Sequence, residues 1–165
     1  MALAPRDVDR WAVRLFYVGI CGMVLWAGTA LINHSLEVKF YKDYLWKWEL
    51  AGRRYQAKGA LWPVFTGNNH AQYMRELVRK MKRRGIYPPH SNTNEPYTYI
   101  IDRIWQTQER IFVLLLPQAM VVYGMSPRTY RVVDGYVDGT VDLNCGEFKG
   151  KRSKDGSSII GRWGL

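Results

Sequence analysis

Residues 15–36, LFYVGICGMVLWAGTALINHSL, contain no Lys, Arg, Asp or Glu, and the run is closed by Arg14 on one side and Glu37 on the other. As one α-helix, a stretch of this length is about 30 Å long, the thickness of a bilayer's hydrocarbon core. From Leu15 to Ile32, eight residues are Leu, Ile, Val or Phe, each worth roughly −0.3 to −0.6 kcal/mol at the membrane centre. Gly19, Gly22, Gly28 and Thr29 offset part of that gain. Residues 1–36 are therefore expected to form a short tail and one transmembrane helix, and residues 37–165 a soluble-type domain. A buried helix in a soluble core is the competing reading, but such helices usually present shorter apolar stretches. Trp11 is placed as an interfacial aromatic on one side of the span, and Tyr41 and Tyr44 are expected to serve the other.

The flanks orient this helix weakly. Arg6, Arg10 and Arg14 precede it, while Lys39, Lys42 and Lys47 follow closely. The short tail and Arg14 at the edge favour an N-terminus on the inner side. Gly28-Thr29-Ala30 offers the small residues of a signal-peptide cleavage site. The helical pattern runs on through it, so the segment is read as a retained anchor.

Beyond the run the chain is polar and basic. With 165 residues, a net charge of +10 and a mean hydropathy of −0.28, it is not a multi-span membrane protein. Its charge suits an acidic protein, anionic lipid or DNA. Cys21 and Cys145 are too far apart in organisation to imply a disulfide framework, and neither has zinc-ligand neighbours. Cys145 is read as a small packing residue.

Glu37 to about Lys58 continues the helix, with Tyr41, Leu45, Trp48 and Tyr55 on one stripe and Glu49–Arg53 as an i, i+4 pair. Packing on a sheet is the plain reading of that stripe, and a nucleobase-stacking platform the rarer one. Gly59 and Trp62-Pro63 end the helix. A second helix is capped by Asn68-Asn69 and runs to Arg84 before Gly85. Strands are expected at Tyr97–Ile104, Arg110–Leu116 and Ala119–Tyr123. Ser126-Pro127 opens a short helix to about Val137. Strands at Glu147–Lys151 and Ser158–Trp163 then flank the Lys154-Asp155-Gly156 turn. The fold class is α+β, a long N-terminal helix packed on a small antiparallel sheet.

Three features carry a family resemblance: the hydrophobic helix running on into an amphipathic one, the exit segment Arg54-Tyr55-Gln56-Ala57-Lys58-Gly59-Ala60-Leu61-Trp62-Pro63, and Val133-Asp134-Gly135-Tyr136-Val137-Asp138-Gly139 followed by Gly146. Together they resemble type IV pilins and type II secretion pseudopilins. The chain departs from that family in lacking a glycine-ended leader followed by Phe or Met, and in having no glutamate inside the apolar run. The resemblance implies a diverged accessory member that keeps its whole N-terminus. It also implies a non-enzymatic, single-pass inner-membrane component with a periplasmic C-terminal domain, working with other subunits of a pilus-like or secretion assembly.

Catalytic patterns are absent from the sequence. His34, His70 and His90 have no adjacent nucleophile motif, and there is no phosphate-binding loop or dinucleotide fingerprint. No cofactor is implied. Asp138, Asp142 and Asn144 alternate oxygen ligands in the manner of a calcium loop, without full EF-hand spacing. Some pseudopilins bind calcium in a C-terminal loop, and solvated turn aspartates are the simpler reading. The second candidate is the basic helical surface of Arg75, Arg79, Lys80, Lys82, Arg83 and Arg84. It is either a solvated face or a contact for anionic lipid, DNA or an acidic protein. A membrane-tethered binding or enzymatic module unrelated to pilins, built on the loop from Asp138 to Glu147, is the alternative function.

Overall fold

Helical backbone begins at Pro5 and continues to Ala57 in a computed structural model that describes residues 5–165, with side chains described from residue 9 onward. Arg6 of the basic leading region lies outside the described side chains. The chain divides into two compact units, Met1–Ser35 and Leu36–Leu165.

In the first unit, helix α1 (Pro5–Lys39) is long and apolar enough to cross a membrane, and none of its most apolar 18-residue window is buried within the chain. Leu15, Phe16, Val18, Met23, Leu25, Trp26 and Leu31 are all more than three-fifths exposed. A helix apolar on all sides requires a cover that the chain itself does not supply. Arg14 places its guanidinium 5.7 Å from the centre of the Trp11 ring, a cation–π contact at the start of the run.

The second unit is α+β, as the sequence predicts. A π-helical turn, Phe40–Leu45, follows α1, marked by the Trp46 N–H donating to the Tyr41 carbonyl five residues back. Helix α2 (Trp46–Ala57) then ends at Gly59, whose φ of +57° suits glycine. Helix α3 (His70–Arg83) is followed by β1 (Thr98–Ile101), β2 (Glu109–Leu116) and β3 (Ala119–Met125). Helix α4 (Pro127–Val137) interrupts the strands before β4 (Phe148–Arg152) and β5 (Ile159–Gly164). The five strands are antiparallel in the order β1-β2-β3-β5-β4.

The stripe of α2 is a packing surface. Leu45, Trp48 and Tyr55 are fully buried, and a Cβ on Gly52 would stand 3.0 Å from Leu115 of β2. Aromatic residues dominate this core, and three of them place their polar atoms on backbone carbonyls, whereas Tyr73 Oη and Trp163 Nε1 are buried without a hydrogen-bond partner among the described residues. Tyr44 Oη and Trp48 Nε1 both donate to the Pro96 carbonyl, at 2.9 and 3.3 Å. Tyr55 Oη donates to the Leu61 carbonyl at 3.0 Å while its ring meets Trp62 edge-on. The exit segment quoted above is thus a tyrosine latch over its own turn.

Several expectations are corrected. Tyr44 is completely buried and so is not available as an interfacial aromatic, while the half-buried Tyr41 stacks on Tyr136 and Trp163. Asn69 occupies the N-cap position of α3, but its side chain bonds Thr66 N and the Val64 carbonyl, tying the preceding loop instead of capping the helix. Strand β1 stops at Ile101, three residues early, because Arg103 and Trp105 form a turn closed by the Gln106 N–H on the Arg103 carbonyl. Cys145 is exposed, because its loop is held by carboxylate–amide bonds and needs no apolar plug. At α4 the expectation holds: Ser126 Oγ accepts from Thr129 N at 3.2 Å, with Pro127 at the first helical position.

Candidate functional site

The acidic segment after α4 is built by carboxylates bonding backbone amides. Asp134, buried on α4, accepts the Asp142 N–H at 2.8 Å through Oδ2. Burial raises its pKa above the ordinary aspartate value. Asp138 accepts from Glu147 N at 2.8 Å and from Phe148 N at 3.0 Å, one amide per oxygen. Asp142 Oδ1 accepts from Asn144 N at 2.9 Å, and that bond lowers the Asp142 pKa. Tyr130 Oη lies 3.0 Å from the Phe148 carbonyl and 3.2 Å from that of Asp142. The loop is therefore closed from both sides before β4 begins.

These bonds explain why aspartates and glycine recur there. A Cβ on Gly146 would stand 2.3 Å from Asp138 Oδ2, and its φ is +91°. Gly150 and Gly161 similarly admit the Tyr130 and Phe148 rings, each with an atom within 2.7 Å of the position a Cβ would take. Among the described residues, no group of three or more His, Cys, Asp or Glu side chains is placed to hold a metal ion. Asp138 spends both oxygens on amides, Asp142 and Asn144 stay exposed, and the residues singled out as calcium ligands are not gathered into a cage.

The basic helix is real and largely solvated. Tyr73, Met74, Leu77, Val78 and Met81 bury one face of α3, and Arg75, Arg79, Lys82, Arg83 and Arg84 are exposed on the rest. Three of the six predicted cations are engaged. Lys80 pairs with Glu76 at 3.1 Å and Arg75 approaches Glu95 at 3.7 Å. Arg84 and Lys58 exchange side-chain-to-carbonyl bonds at 2.8 and 3.1 Å. Arg79, Lys82 and Arg83 make no ion pair among the described residues.

A third constellation escaped the sequence reading. Glu37, the first charge after the apolar run, is fully buried, with Oε1 2.8 Å from both Arg103 Nε and Arg128 Nε. Arg103 also bonds Glu109 and the Thr129 hydroxyl, and Thr129 Oγ1 donates to Glu109 Oε2 at 2.7 Å. The Ser126 N–H reaches the same oxygen at 3.2 Å. Burial alone would raise the Glu109 pKa, but bonds from Ser126, Arg103 and Thr129 overcome it and hold the carboxylate below its ordinary value. Two carboxylates and two guanidiniums leave the cluster neutral, which is how charges tolerate burial. Glu37 lies 66 residues from Arg103 and 91 from Arg128, so no local pattern announces the cluster.

His70 is ringed edge-on by Phe65 and Tyr123, at 5.1 and 5.7 Å between centroids, and His90 is exposed on a Pro-rich loop. No protein family, curated protein or solved structure matches this chain.

Proposed function

We propose that this chain is a non-enzymatic, membrane-anchored accessory component of a pilus-like or type II secretion-like assembly, with residues 37–165 on the periplasmic side of the inner membrane. The observation that carries the reading is the uncovered apolar helix, which continues without a break into the helical stripe buried in the α+β unit. Apolar side chains left in water are unfavourable by about 25 cal/mol per Å², so α1 is covered by lipid, by neighbouring helices, or by both. The aspartate–glycine clamp before the last two strands supports the pilin-like part of the proposal. Helix α3 supplies a basic face, on which Arg79, Lys82 and Arg83 make no ion pair among the described residues, for an acidic partner subunit, with anionic lipid or DNA as the other polyanions it suits.

Crosslinking in native membranes tests this directly. A photo-crosslinker at Leu25 is expected to yield ladders or discrete larger complexes, and alkaline extraction to leave the chain in the membrane. A strictly monomeric chain with measurable turnover would overturn the proposal. A mature N-terminus near Leu31 would remove the anchor on which it depends.

A further inference from the structure

Aromatic residues are enriched at both edges of membrane spans, and of the two tyrosines that follow the apolar run Tyr44 is in the core and the half-buried Tyr41 stacks on Tyr136 and Trp163. The structure supplies another aromatic. The turn from Arg103 to Gln106 displays Ile104 and Trp105 at its tip, and Trp105 is 80% exposed at a φ of +57°. A large aromatic held out in water on a backbone that disfavours side chains has a cost that a soluble surface gives no reason to keep.

The base of that turn is fixed to the end of the run. Arg103 is buried on Glu37, and Glu37 directly follows Leu36, the last residue of the uncharged stretch. Trp105 is two residues beyond Arg103, at most about 7 Å of extended chain. Covalent connection and one buried ion pair thus keep Trp105 close to the point where the chain leaves the hydrocarbon.

Beside the turn lies a cleft of about 970 Å³ whose lining includes Trp105, Arg110, Arg128 and Arg131. Arg128 is committed to Glu37. Arg110 and Arg131 are exposed and make no ion pair among the described residues. The acid lining this cleft, Glu109, is already bonded to Arg103, Thr129 and Ser126. What remains on offer is two free guanidiniums next to an interfacial aromatic. Guanidinium forks match phosphate oxygens, and tryptophan concentrates at headgroup depth.

We propose that the Arg103–Gln106 turn seats Trp105 in the headgroup zone of the membrane crossed by the apolar run, where Arg110 and Arg131 bind the phosphates of anionic phospholipids. This rests on the membrane-span reading and adds a second, peripheral contact to it. The contact restrains the α+β unit at the membrane surface, and its strength follows the anionic lipid content.

Quenching by brominated lipid tests the contact and the span separately. The full chain is reconstituted in nanodiscs of phosphatidylcholine and phosphatidylglycerol, with or without 6,7-dibromo phosphatidylcholine. The emission of one tryptophan is read as wild type minus its Trp→Phe variant. The Trp105 component (from Trp105→Phe) is expected to lose at least half its intensity to the brominated lipid. Arg110→Gln with Arg131→Gln is expected to reduce that quenching at least twofold, while Arg75→Gln with Arg79→Gln leaves it unchanged. Trp26, inside the run, reports on the span through Trp26→Phe. Quenched Trp26 with unquenched Trp105 overturns the surface contact and leaves the anchor standing. If both are unquenched, the span itself fails and the contact falls with it. Undiminished quenching in the double arginine variant, or equal loss in the α3 control, overturns the phosphate-binding assignment.

Discussion

Replacing Arg103 by leucine is expected to destabilise the α+β unit by about 3–5 kcal/mol, the usual consequence of removing one partner from a buried ion pair. Wild type holds Glu37 and Glu109 against Arg103 and Arg128 in a neutral cluster. Without Arg103, the buried Glu37 is left with the partly exposed Arg128, and the part-buried Glu109 keeps only the neutral donors Ser126 N and Thr129 Oγ1. For a unit of this size the loss corresponds to a fall in melting temperature of about 10–15 °C. Circular dichroism in detergent would follow it. Adding Glu37→Leu to Arg103→Leu restores one negative against one positive charge, so the double variant is expected to lose less than the sum of the two single changes. Strict additivity would show that the cluster is not a coupled unit. Arg103→Lys should fall between, because an ammonium cannot reproduce the fork that meets Glu37, Glu109 and Thr129 together.

Glu109 makes the same cluster sensitive to acid. Its folded-state pKa lies below the ordinary value near 4.5, so its contribution is complete above the unfolded pKa. That contribution is lost as pH falls through the folded pKa. Melting temperature is therefore expected to hold steady down to about pH 5 and to drop below it. In Arg103→Leu one of the bonds lowering this pKa is gone, so the acid-dependent part of the curve should be shallower. An equally steep curve in the variant would move the acid sensitivity to other carboxylates.

Local features were the legible ones. The apolar run, the stripe of α2, the Ser126-Pro127 start of α4 and the last hairpin each depend on residues within one or two turns of chain. Their chemistry reads directly from spacing, and the α+β class followed from them. What escaped was long-range or depended on shared atoms. Glu37 reads as the charge that ends a membrane segment, and only folding shows that Arg103 and Arg128 converge on it. Tyr44 reads as an interfacial aromatic until the π turn and the sheet enclose it. Trp105 comes directly after the expected strand Tyr97–Ile104, where nothing in the sequence hints at a left-handed residue. The aspartates before β4 have a composition that fits metal ligation and amide capping equally well. Carboxylate oxygens serve both, and only the positions of Glu147 N, Phe148 N and Asp142 N show where those oxygens go.

Gly146 offers the most direct test of that clamp. Alanine at this position is expected to cost about 2–4 kcal/mol through two separable effects. Its backbone, at a φ of +91°, lies where an L side chain is strained by about 1–3 kcal/mol. Its Cβ would also stand 2.4 Å from Asp138 Cγ, which forces the carboxylate away from the amides of Glu147 and Phe148. Hydrogen bonds to a charged group are worth about 1.5–3 kcal/mol each, so moving Asp138 removes more than a steric adjustment would. The loss is transmitted to β4, because Phe148 is both the second amide donor and a fully buried ring stacked 5.3 Å from Tyr130. In an Asp138→Ala background the collision and the clamp are both gone, and Gly146→Ala should then cost only the backbone strain. Urea denaturation of the four proteins measures the difference. A Gly146→Ala penalty that is the same with and without Asp138 would show that the backbone angle alone demands glycine, and that the aspartate-to-glycine spacing is not one device.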